Sequence, residues 1–89
     1  MLYDYVELPD NTKIAHSEVL PDGTIKIGIE RPREGGFDFA YCHIPFRKWE
    51  STSGFSMSEL DSLQKYLLNN APLIWELAEE VSARGGRVA

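Results

Sequence analysis

Few groups in this chain are able to do chemistry: His16, His43, Asp4, Cys42 and the four tyrosines. A histidine beside a carboxylate is the usual start of a general-base site, and a cysteine beside a histidine that of a thiolate nucleophile. Cys42 and His43 are neighbours on a segment that reads as a strand, so their side chains point to opposite faces and cannot pair there. The two histidines can share a face, but on strands separated by a third, roughly 10 Å apart. No CxxC, HxxxH or HExxH spacing occurs, so the usual zinc signatures are missing. Gly35-Gly36 reads as a hairpin loop, with no phosphate-loop or dinucleotide pattern around it. An Asp4–His16 contact across two strands reads as a surface pair. No catalytic, cofactor-binding or metal-binding residue is therefore assigned, and a non-enzymatic protein without a cofactor is expected.

The strands that must hold these groups are announced by a short echo. Leu8-Pro9-Asp10-Asn11-Thr12 and Leu20-Pro21-Asp22-Gly23-Thr24 write the same turn twice. Proline presets the first turn dihedral, and Asn or Gly accepts the left-handed position of a three-residue hairpin loop. Strands are predicted near 2–8, 13–20 and 25–31, with a fourth from Phe37 to Ile44. Pairing Leu8 with Thr12 and Leu20 with Thr24 sets the register. Glu7 then faces Lys13, Val6 faces Ile14, Tyr5 faces Ala15 and Asp4 faces His16. In the next hairpin Val19 faces Ile25, Glu18 faces Lys26, Ser17 faces Ile27 and His16 faces Gly28.

Alternation along each strand converts this register into two faces. Tyr3, Tyr5, Ala15, Ser17, Val19, Ile25, Ile27 and Ile29 are expected on the covered side. Asp4, Val6, Ile14, His16, Glu18, Lys26, Gly28 and Glu30 are expected on the open side. On the fourth strand either Phe37, Phe39, Tyr41 and His43 point inward, or Ala40, Cys42 and Ile44 do. The second choice is preferred, because alanine and free cysteine are commonly fully buried.

The cover for the sheet lies in the C-terminal third. Ser56 with Glu59 three residues later has the form of a capping box. Leu60, Leu63, Leu67 and Leu68 then recur at helical spacing. Pro72 predicts a break near Ala71, one kinked helix being the other reading, and a second helix carries Ile74, Leu77, Ala78 and Val81 to a stop at Gly85-Gly86. The expected fold is α+β: a four-stranded antiparallel β-meander with two C-terminal helices packed on one face. Residues 1–89 form a single domain, with the meander over 2–45, a connector over 46–55, and helices at about 56–70 and 72–84.

Composition bounds the rest. The chain has 89 residues, a net charge of −5 and one cysteine. Charge is uneven: −4 over residues 1–30, +2 over 31–48 and −3 over 49–89. Such a balance is poorly suited to holding a polyanion through counterion release, so nucleic acid is not an expected partner even though exposed aromatics on a sheet can stack bases. The N-terminus MLYDYVELPD lacks the apolar run of a signal peptide, and no 18-residue apolar stretch is present to span a membrane. With its unpaired cysteine the chain suits a cytoplasmic location.

On this register the open face gathers Val6, Ile14, His16, Phe39, Tyr41 and His43, with Arg31 and Arg33 at one end. Contiguous apolar and aromatic surface marks an interaction site, and these eight residues are the candidate protein-binding set. The expected function is a small protein-interaction module, able to form a homodimer through that face. Two other readings are an acidic, antitoxin-like regulator or inhibitor of a basic partner, and a small hydrolase or metal protein using the histidines. The runs LPDGT, ERPREGGFDFA, IPFRKWESTSGFSMSEL and NNAPLIWELA resemble a group of small bacterial proteins of unknown function, often encoded on mobile or conjugative elements. That resemblance implies a bacterial origin and a compact α+β domain, and it carries over no catalytic residue.

Overall fold

The computed structural model describes residues 2–88, with side chains through residue 84. The two echoed turns form as their residues require. The Leu8 amide donates to the Thr12 carbonyl at 2.8 Å and the Leu20 amide to the Thr24 carbonyl at 2.7 Å. Asn11 and Gly23 have φ of 70° and 83°, the left-handed conformation such loops need. Asp10 and Asp22 each accept the amide two residues on, at 3.0 Å. These turns join β1 (Tyr3–Glu7), β2 (Lys13–Val19) and β3 (Ile25–Arg33). A tighter turn with Gly35 at φ 84° leads into β4 (Gly36–Ile44).

The chain is α+β, with an antiparallel meander in the order β1-β2-β3-β4-β5. Its fifth strand corrects the expected count of four. Ser51–Ser53 (β5) pairs with β4 at Phe39, Ala40 and Tyr41, inside the stretch read as a connector. All three of its residues are exposed, so it has no apolar alternation to announce it.

The expected pair of helices is also corrected. One helix, α1 (Met57–Val88), runs through Pro72 and on through Gly85-Gly86. Pro72 removes one amide and leaves the Leu68 carbonyl without its usual donor. Both residues lie on the solvent side, where water can serve that carbonyl. Meanwhile Leu63, Leu67, Ile74 and Ala78 keep a single buried stripe in phase across the proline. Asn70, read as part of a stop signal, instead ties the helix to the sheet. Its amide donates to the Tyr66 carbonyl at 2.8 Å, and its side-chain oxygen accepts the Tyr5 hydroxyl at 2.7 Å.

The capping box forms as expected. The Glu59 amide donates to the Ser56 hydroxyl at 3.1 Å, and the Ser56 amide donates to the Glu59 carboxylate at 2.9 Å. From that start α1 runs the length of β2 to its far end, where the Val19 amide donates to the Ser82 hydroxyl at 2.8 Å. The core between helix and sheet holds Ile14, Ile25, Ile27, Ile29, Ala40, Cys42 and Ile44 against the α1 stripe. Each buried isoleucine contributes about 1.5–3 kcal/mol relative to exposure.

Register is where the structure departs most from expectation. Glu7–Lys13 and Val6–Ile14 pair as read, but an extra residue in β1 between Asp4 and Val6 brings Asp4 opposite Ala15 and Tyr3 opposite His16. A second extra residue in β2 lies between His16 and Val19, so His16 faces Ile27 and Ile14 faces Ile29. The Ser17 hydroxyl stabilises this bulge, accepting the Lys26 amide at 2.9 Å and donating to the Glu18 carbonyl at 2.6 Å. One extra residue exchanges the faces of everything beyond it. Val6, Ile14 and His16, expected on the open face, therefore turn to the covered one, and Ala15 moves out. The favoured orientation of β4 is observed, with Ala40, Cys42 and Ile44 buried.

Candidate interaction face and adjoining groove

The residues expected to share one face divide into three groups. Val6, Ile14 and His16 pack toward the core. His16 is a satisfied interior histidine: its Nδ1 donates to the Ser17 carbonyl at 2.9 Å, and its ring lies 6.0 Å from that of Tyr3. Asp4 does not meet it, so the cross-strand pair does not form. The two histidines stand on opposite faces of the sheet, which removes any site that joins them. Among the described residues no group of three or more His, Cys, Asp and Glu side chains is placed to hold a metal ion.

Arg31 and Arg33 form the second group. Both turn to the covered side at the end of the sheet where α1 begins. Arg31 donates through Nε and Nη2 to Asp38 at 2.9 and 2.7 Å, and through Nη1 to Glu59 at 2.5 Å. Arg33 donates to the other Asp38 oxygen at 2.6 Å. The Phe55 ring closes over the Arg31 guanidinium, 4.5 Å from its centroid. The Arg31 guanidinium, with the Ser56 amide behind it, holds the Glu59 carboxyl down at about 2. Arg33 and then Arg31 lower Asp38 in the same way. These arginines hold the fold together, which the sequence reading missed because their partners lie 5, 7 and 28 residues away.

Phe39, Tyr41 and His43 are the third group, and they do stand together on the open face with Phe37, which is 61% exposed. The Phe39 and Tyr41 ring centroids are 5.4 Å apart. Opposite them on β3, Glu30 pairs with Phe39, Gly28 with Tyr41 and Lys26 with His43. Gly28 leaves room that the Leu2 side chain and the Tyr41 ring fill. The Tyr41 hydroxyl donates to Glu30 at 3.3 Å, and the Lys26 ammonium lies 5.6 Å from the centre of the Tyr41 ring. Cys42, on the other face, is a buried thiol pushed up to about 12, chiefly by desolvation and secondarily by Glu50. It is unfit for nucleophilic work at neutral pH.

At the β2–β3 turn the aromatic row opens into a concavity of about 560 Å³ lined by Asp22, Thr24, His43, Pro45, Arg47, Lys48 and Glu50. His43 Nδ1 lies 2.5 Å from a Glu50 carboxylate oxygen. This pair was not anticipated, because Glu50 follows the loop that carries the chain from β4 toward β5. The Glu50 amide donates to the Tyr41 carbonyl at 2.9 Å and so fixes that loop. Asp22 accepts both the amide and the hydroxyl of Thr24 at 3.0 and 2.7 Å. Those bonds, with a smaller effect from His43, lower its carboxyl below the ordinary range.

No helix among the described residues is long and apolar enough to cross a membrane. No protein-family model matches the chain, and no curated protein or solved structure gives a significant match.

Proposed function

We propose that this protein is a small interaction module that self-associates through the open face of its sheet. The observation that carries the reading is the row Phe37, Phe39, Tyr41 and His43, which α1 leaves uncovered while it packs on the opposite face. An antiparallel sheet covered on one side ordinarily shows a polar outer face, and an aromatic row there favours a partner. The charges beside the row favour a second copy. Lys26 and Glu30 sit two residues either side of Gly28 on β3. A two-fold axis over Gly28 and Tyr41 therefore brings each lysine toward the partner's glutamate, the self-complementarity an isologous dimer requires. Lys13, paired with Glu30 across the strands, adds a further positive charge beside that glutamate.

Size exclusion with light scattering at high micromolar concentration tests this. The expected result is a dimer that becomes a monomer in Phe39→Lys with an unchanged circular-dichroism spectrum. A monomeric wild-type protein overturns the reading. A second reading, an acidic regulator of a basic partner, draws support from Asp61, Glu76, Glu79 and Glu80, all exposed on α1. It predicts capture of a basic protein that weakens steeply with salt and is unaffected by Phe39→Lys.

A further inference from the structure

We propose that the groove beside His43 is a binding site for an oxyanion, a carboxylate or a phosphate, held by Arg47 and Lys48. The middle segment of this acidic chain carries four basic residues: Arg31, Arg33, Arg47 and Lys48. The first two are bonded to Asp38 and Glu59. The other two line the groove, and among the described residues neither has a carboxylate partner. A guanidinium offers five N–H donors and an ammonium three, and neither accepts a hydrogen bond. A ligand for this pair must therefore bring acceptors, and charged acceptors make the strongest contacts with such donors.

The acids of the same groove are already engaged. Asp22 is held by its own turn through Thr24, and Glu50 is held by His43. Both are thus restrained from swinging across to neutralise Arg47 or Lys48. His43 forms part of the wall, and its fixed ring is a natural reporter. At about 560 Å³ the space accommodates a small ligand, since such sites typically run to roughly 300–1,000 Å³. The inference does not depend on the dimer, because its donors, Arg47 and Lys48, lie outside the aromatic row of the open face.

The experiment is an NMR titration of the full chain with inorganic phosphate and, separately, with acetate, each at an ionic strength held constant with chloride. Expected are saturable shifts confined to residues 22–24 and 43–50, including the His43 ring, with a midpoint of about 10 mM or tighter. The double variant Arg47→Gln/Lys48→Gln should raise that midpoint about tenfold, the scale of a charge-assisted contact. Lys65→Gln, on the exposed surface of α1, should leave it unchanged. Saturation by phosphate alone assigns a phosphate ligand, by acetate alone a carboxylate, and by both the shared chemistry. Shifts that grow linearly without saturating, that chloride reproduces, or that survive the double variant overturn the proposal. Phe39→Lys should leave the titration intact, so failure of the dimer and failure of the groove are separately visible.

Discussion

The two ends of the sheet use the same residue types in opposite ways. Where α1 begins, Arg31 and Arg33 close on Asp38 and Glu59, and Phe55 lies over the Arg31 guanidinium. At the β2–β3 turn, Arg47 and Lys48 line an open groove whose acids are bonded to Thr24 and His43. Burial separates the two cases. Asp38 is 3% exposed, and a carboxylate withdrawn that far from water must be paired by the protein itself. Arg47 and Lys48 are exposed and can remain hydrated at little cost. The first cluster therefore bears on stability and the second on what the protein can bind.

Substitutions should break that contrast in a graded order. The largest effect is expected from Gly54→Ala. Gly54 has φ 90°, and a Cβ there would run into the Asp38 carboxyl. Backbone strain and displacement of Asp38 together should cost more than about 2 kcal/mol, read as a lower urea midpoint. Arg31→Met comes next at about 2 kcal/mol, because it strips charge-assisted bonds from two carboxylates at once. Acid should weaken the same end of the molecule. Glu59 is held at about 2 in the folded protein against an ordinary 4.5, so between those values the unfolded chain binds more protons. Stability supplied by this group is complete above about pH 5 and is lost as pH falls toward 2. The urea midpoint of Glu59→Gln should accordingly fall less steeply over that range than that of the wild type. At the other end, Arg47→Met or Lys48→Met should shift stability by no more than about 0.5 kcal/mol. A larger loss there would mean that the groove, too, is part of what holds the fold.

What could be read from the sequence was whatever local chemistry decides. Both turns were legible because proline, aspartate and a left-handed Asn or Gly act within five residues. The capping box was legible for the same reason. The orientation of β4 followed from the sizes of Ala40 and Cys42 against Phe39 and Tyr41. The continuity of α1 was present in the phase of its stripe, since Leu67 and Ile74 lie seven residues apart. The expected break gave the proline more weight than that phase, when its freed carbonyl had solvent available. The short strand β5 has three polar exposed residues and no periodicity to find. Of the residues expected on the open face, Phe39, Tyr41 and His43 were assigned to the side of the sheet they occupy. Val6, Ile14 and His16 were not, because each lies beyond an extra residue whose stabilising contacts come from another strand. The His43–Glu50 pair and the Arg31 cluster likewise depend on partners that only the folded chain brings near.

The bulge at Ser17 has a consequence for how this chain tolerates change in length. It works like a reading frame. Every side chain of β2 before it is assigned to core or solvent by the presence of one additional residue, held by a single hydroxyl. Loss of either Ser17 or Glu18 would restore unbroken alternation, sending Ile14 and His16 outward and drawing Lys13 and Ala15 in. A deletion there is thus equivalent to replacing several core residues at once, whereas the exposed Arg33–Gly36 turn has room to lengthen without moving a single residue of β2 from one side of the sheet to the other.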